Sequence, residues 1–81
     1  MQREQILDIV ITNLKNNVEG LENTPIDPQK SMAEYGASSL DIVEVVSVSM
    51  RQLSVRVPRT ALAGLTNIND LVDLLTAKTT G

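Results

Sequence analysis

The chain has 81 residues with no cysteine, histidine, tryptophan or phenylalanine, and a single tyrosine. Disulfides, thiol chemistry, cysteine metal sites and imidazole acid–base catalysis are thereby excluded, which argues against a self-sufficient enzyme. A formal charge of −3 and one ring for base stacking also disfavour nucleic-acid binding.

Met1-Gln2-Arg3-Glu4-Gln5 leads into an amphipathic pattern and not into a signal-peptide core. No apolar run approaches the roughly 20 residues of a membrane span. A soluble cytoplasmic chain without membrane contact is expected. Residues 3–18 predict a helix. Ile6, Ile9, Val10, Leu14, Val18 and Leu21 recur at steps of three or four, and Arg3, Glu4, Asp8, Thr12, Lys15, Asn16 and Glu19 fill the opposite side. Gly20 supplies a stop signal.

Residues 20–37 predict a long connection, because Pro25 and Pro28 interrupt any helix. So long a loop in so small a domain needs packed anchors or a function. Leu21, Ile26, Met32 and Tyr35 are placed to be the anchors, and Tyr35 is read as filling a gap.

Residues 39–53 are ambiguous on propensity, since Ile42, Val43, Val45, Val46 and Val48 are β-branched. The run is long for a strand. Ser38 is a good N-cap, and Asp41 follows where an acid meets the positive end of a helix. A helix is therefore predicted, with Leu40, Val43, Val46 or Ser47, Met50 and Leu53 as its apolar stripe. Ile42 and Val45 widen that stripe, so this helix is expected to be the central, most buried one. The small valines equally describe a tight core or space for an apolar guest, and the core reading is preferred.

Ser54–Pro58 alternates, with Val55 and Val57 expected inward and Arg56 outward. Pro58 suits the first turn of a short helix over 58–63, ended by Gly64. Thr66 or Asn67 caps a last helix carrying Ile68, Leu71, Val72, Leu74 and Leu75. The tail, 78–81, has nothing to bury and is expected to fray. The result is one domain over 1–81, structured over 3–77. Its predicted fold is an all-α four-helix bundle: three longer helices, one short helix and a long first loop. Nothing suggests more than a monomer.

Hydroxyls and lysines are the remaining nucleophiles. Ser38 and Ser39 lie where the long loop meets the second helix, and Ser39 read alone simply starts that helix. Without a nearby base its hydroxyl is a poor nucleophile, so any reaction there needs another protein.

Gly36-Ala37-Ser38-Ser39-Leu40-Asp41 resembles the Gly-x-Asp-Ser-Leu signature of acyl and peptidyl carrier proteins. Ser31-Met32-Ala33-Glu34-Tyr35-Gly36 is similar to that family's approach to the signature. Val43-Glu44, Val55-Arg56-Val57-Pro58 and Asn67-Ile68-x-x-Leu71 resemble its later elements, in the same order, so the likeness spans about residues 3–77. It implies a non-catalytic carrier in which Ser39 bears 4'-phosphopantetheine, transferred from coenzyme A by a phosphopantetheinyl transferase. The arm's thiol then carries an acyl group as a thioester. An anion on Ser39 would sit at the amino end of a helix, where unpaired N–H groups and the dipole favour it. Gly36 permits a tight or positive-φ turn before it.

Two departures bear on partners. The family has Asp before the modified serine, and this chain has Ser38, which keeps the cap but loses a charge. The second and third helices of fatty-acid carriers are strongly acidic. Here Asp41 and Glu44 are followed by Met50, Arg51, Arg56 and Arg59. Ser38, Leu40, Asp41, Glu44, Arg51 and Arg59 are the expected partner-binding residues, with Leu40 open between core and surface roles. The stretch from Met50 to Lys78 resembles discrete donor carriers of polyketide β-branching cassettes. That implies delivery of an acetyl-type donor to an enzyme resembling hydroxymethylglutaryl-CoA synthase, alongside other polyketide synthase enzymes. A general fatty-acid, peptidyl or aryl carrier, or an unmodified helical interaction module, are the alternatives.

Overall fold

The computed structural model describes residues 2–79, apart from the side chain of Arg59. Four helices follow in order: α1 (Arg3–Asn17), α2 (Ser39–Leu53), α3 (Arg59–Leu62) and α4 (Ile68–Thr79). A 3-10 turn, Met32–Tyr35, interrupts the long loop. No strand occurs among the described residues, and no helix among them is long and apolar enough to cross a membrane.

Helix α1 buries Ile6, Val10 and Leu14 completely, as its periodicity requires. It packs against both α2 and α4. Helix α1, not α2, is therefore the central element. From α4, Ile68, Leu71, Val72 and Leu75 complete an aliphatic core without ring stacking. Helix α4 runs to Thr79, so Lys78 and Thr79 are helical where a frayed tail is expected; residues 80–81 lie outside the described residues. In the Ser54–Pro58 segment Val57 is buried, Val55 half-buried and Arg56 exposed.

The apolar stripe of α2 also needs correcting. Leu40 is 82% exposed and Val43 60% exposed, while Val45, Val46 and Ser49 face the core. Residues 40, 43, 47 and 50 make one helical face, and 42, 45, 46, 49 and 53 make another. Both are largely apolar, so periodicity does not choose between them. A polar contact does. Asn13 of α1, buried with Ser49, donates to the Ser49 hydroxyl at 2.9 Å and to Gln52 Oε1 at 3.0 Å. That pairing turns the Ser49 face toward α1 and leaves Leu40 and Val43 outside.

The long loop is held by its side chains and its own carbonyls. Leu21 and Met32 are buried. Tyr35 does more than fill a gap: its hydroxyl accepts the Asp27 N–H at 2.7 Å.

Asn13→Ala strands the Ser49 hydroxyl, which is 0% exposed. A buried group left without its partner costs about 1–3 kcal/mol. The urea midpoint of Asn13→Ala should therefore fall clearly, and the pair Asn13→Leu with Ser49→Ala should recover part of the loss. A pair no better than the single variant would show that packing, and not the hydrogen bond, dominates.

Candidate functional site

Two capping boxes in succession build the corner before α2. Ser31 caps the 3-10 turn: its Oγ accepts the Glu34 N–H at 3.3 Å, and Glu34 Oε2 accepts the Ser31 N–H at 2.7 Å. Gly36 then takes φ 91°, a left-handed conformation that glycine adopts without a Cβ penalty. Ala37 tucks into the core. Ser38 caps α2 by the same device, with Asp41 three residues on.

Ser38 and Ser39 are both exposed, so exposure does not separate them. Their hydrogen bonds do. The Ser38 hydroxyl donates to Asp41 Oδ2 at 3.0 Å and accepts the Asp41 N–H at 3.2 Å. A serine has one hydroxyl hydrogen, and this bond uses it. No described residue hydrogen-bonds the Ser39 hydroxyl.

The two long-loop helix starts also differ. At α4, the Ile68 N–H donates to the Lys30 carbonyl and the Asn69 N–H to the Pro28 carbonyl, at 3.0 and 2.9 Å. Asn67 Oδ1 accepts the Asp70 N–H at 2.8 Å, so Asn67 is the cap and Thr66 instead donates to Asp70. That amino end is closed. At α2, Ser38 takes the Asp41 N–H, and no described residue accepts from the N–H groups of Ser39 and Leu40. Two unpaired donors and the positive dipole end thus meet at the free hydroxyl. An anionic ester on Ser39 fits this arrangement.

Asp41 is less available than its position suggests. Its carboxylate accepts the Ser38 N–H at 2.8 Å, the Ser38 hydroxyl, and Asn17 Nδ2 of α1 at 2.8 Å. These bonds, with the Ser38 N–H foremost, hold its pKa below the ordinary 3.8. Asp41 is therefore an acceptor already engaged and not a base for Ser39. Glu44 and Arg51 are exposed on α2. The Arg59 side chain lies outside the described residues. Leu40 and Val43 border an apolar groove of about 910 Å³, which Met50, Val57, Leu62 and Leu65 also line. The structure thus brings Ser38, Ser39, Leu40 and Asp41 together at one corner, and sets Arg51 three turns along α2. Asn17 was not legible as a site residue: an asparagine that ends a helix beside Asn16 gives no signal that it meets an acid 24 positions away.

The family model described as the phosphopantetheine attachment site matches residues 4–75. The chain is 31% identical over 75 residues to the polyketide biosynthesis acyl-carrier-protein AcpK of Bacillus subtilis (strain 168), covering 93% of this chain and 92% of that protein. It is 33% identical over 76 residues to an acyl carrier protein of Cyanidioschyzon merolae, covering 93% of this chain and 82% of that protein. Among solved structures, it superposes with a TM-score of 0.88 and 36% identity on a chain from the crystal structure of the curacin biosynthetic pathway HMG synthase in complex with acetyl donor-ACP. That match covers 96% of this chain and 100% of the other.

A carboxyl with a lowered folded pKa stabilises the fold above its ordinary value, and that contribution disappears as pH falls through the lowered one. Asp41→Asn should therefore lower the urea midpoint at neutral pH, and its gap from wild type should close as pH drops below 3.8. A gap independent of pH would contradict this role for the charge.

Proposed function

The chain belongs to the phosphopantetheine-attachment family of carrier proteins, and we propose that Ser39 is the residue that bears its arm. One observation carries this assignment: of two adjacent exposed serines, Ser38 is tied into the cap and Ser39 is free. The family carries covalently attached 4'-phosphopantetheine. Attachment joins Ser39 Oγ to phosphorus and breaks the pyrophosphate bond of coenzyme A, releasing adenosine 3',5'-bisphosphate. The chain has no His or Cys, and Asp41 is engaged, so a base on the transferase takes the hydroxyl proton. The unpaired Ser39 and Leu40 N–H groups favour the resulting phosphodiester. The attached arm supplies the thiol that holds an acyl group as a thioester, and tethering raises that group's effective concentration at successive active sites.

The cargo reading is an acetyl-type donor used in polyketide β-branching by an enzyme resembling hydroxymethylglutaryl-CoA synthase. It is supported by the likeness to the chain solved with the curacin HMG synthase and to AcpK. A general fatty-acid carrier is the second reading, favoured by the likeness to the acyl carrier protein of Cyanidioschyzon merolae. The charge of α2 separates them. Exposed Arg51 follows exposed Glu44, and exposed Arg56 lies just past the helix. Enzymes built for acidic carriers meet repulsion there. Leu40 and Val43 give the partner an apolar contact beside Ser39. Ser38, Leu40, Asp41, Glu44, Arg51 and Arg59 are proposed to meet partners, with Ser38 and Asp41 contributing shape more than free charge. The carrier works as a monomer in the cytoplasm in this reading.

Incubation with a broad phosphopantetheinyl transferase and coenzyme A should add one phosphopantetheine mass. Ser39→Ala should abolish it, and Ser38→Ala should still take up the arm, though more slowly because the cap is lost; labelling that persists in Ser39→Ala refutes the assignment. Reversing Arg51 and Arg59 to Glu should slow association with the cognate synthase and change its salt dependence. Kinetics equal to wild type would remove these residues from the interface.

A further inference from the structure

We propose that Asn17 and Asp41 are positioning residues for arm attachment: they hold Ser38 in the cap and so present Ser39 as the hydroxyl a transferase can use. The inference rests on the reading of Ser39 as the attachment point.

Adjacent exposed serines pose a choice that the fold has to settle. Asp41 settles it from one side. Its Oδ2 takes both the N–H and the O–H of Ser38, at 2.8 and 3.0 Å, while its own N–H returns to Ser38 Oγ at 3.2 Å. Esterifying Ser38 would remove the hydroxyl hydrogen that Asp41 Oδ2 holds, set a phosphodiester anion against that carboxylate and crowd the cap on the Asp41 N–H. For Ser39, no such contact is lost.

Those contacts alone occupy one carboxylate oxygen and leave the other to rotate. Asn17 fixes the other: its Nδ2 donates to Asp41 Oδ1 at 2.8 Å in a partly buried bond. Asn17 is the last residue of α1, the helix that packs on both α2 and α4. The orientation of the corner is thereby referred to the core and not to the loop. Asn13, one turn earlier on the same face of α1, makes the other amide tie to α2, through Ser49 and Gln52. Two asparagines at i and i+4 thus set, respectively, the rotation of α2 and the geometry of its first turn.

The test uses the full chain, a phosphopantetheinyl transferase and coenzyme A, with fragment masses mapping the arm. Asn17→Ala should lower kcat for Ser39 by roughly ten-fold with little change in KM, as a misplaced reacting group does. Asn17→Gln, which keeps an amide donor, should restore most of it. Adding Asp41→Ala to Asn17→Ala should cost less than Asp41→Ala alone, because the two act through one contact. In the amide spectrum of Asn17→Ala, changes should concentrate at Ser38–Asp41, and the Asp41 titration should move up toward 3.8. An unchanged kcat, a loss confined to KM, or a loss that Asn17→Gln fails to rescue overturns the proposal. Failure of the underlying reading looks different: the wild-type chain takes up no arm or carries it on Ser38.

Discussion

The amino end of α2 is left open, and the rest of the molecule is arranged around that fact. Every helix begins with N–H groups that lack intrahelical partners. At α4 the long loop supplies them, with the carbonyls of Pro28 and Lys30 taking the first two and Asn67 the third. At α2 only the Asp41 N–H is capped, by Ser38. Two donors remain beside a free hydroxyl, in a chain that has no histidine and whose neighbouring carboxylate, Asp41, is already engaged. An anion-accepting corner of this kind suits the arm attachment proposed for Ser39.

The fold keeps that corner open by making it rigid. A loop of this length would normally blur the start of the helix it leads to. Here Leu21 and Met32 are buried, Tyr35 holds the Asp27 N–H, and Gly36 turns the chain at positive φ. Asn17 ties the two ends of the loop together through Asp41. Within an otherwise aliphatic core, the buried pair Asn13 and Ser49, joined at its rim by exposed Gln52, sets how α2 is turned. Its consequence is that Leu40 and Val43 face outward beside Ser39, as the apolar surface proposed to meet partners.

Local rules made much of this visible in advance. Ser38 with Asp41 reads as a cap because the pattern is short-range, and the α1 stripe reads as core because only one of its faces is apolar. The stripe of α2 could not be read the same way. Two of its faces are apolar, and the choice rests on Asn13, 36 positions from Ser49. The centrality of α1 is likewise a property of the assembled bundle. So is the saturation of Asp41, which looks like a free acid until Asn17 is brought to it. The cap of α4 was legible to within one residue, but its two loop carbonyls were not, since backbone acceptors carry no sequence signature.

The most direct test of the open corner is a comparison of amide chemical shifts before and after the arm is attached. The largest changes should fall on the Ser39 and Leu40 N–H groups, moved downfield by a phosphodiester they donate to, while Ile68 and Asn69 stay where they are. Ser39 and Leu40 amides that do not respond, in a chain shown by mass to carry the arm, would contradict the account.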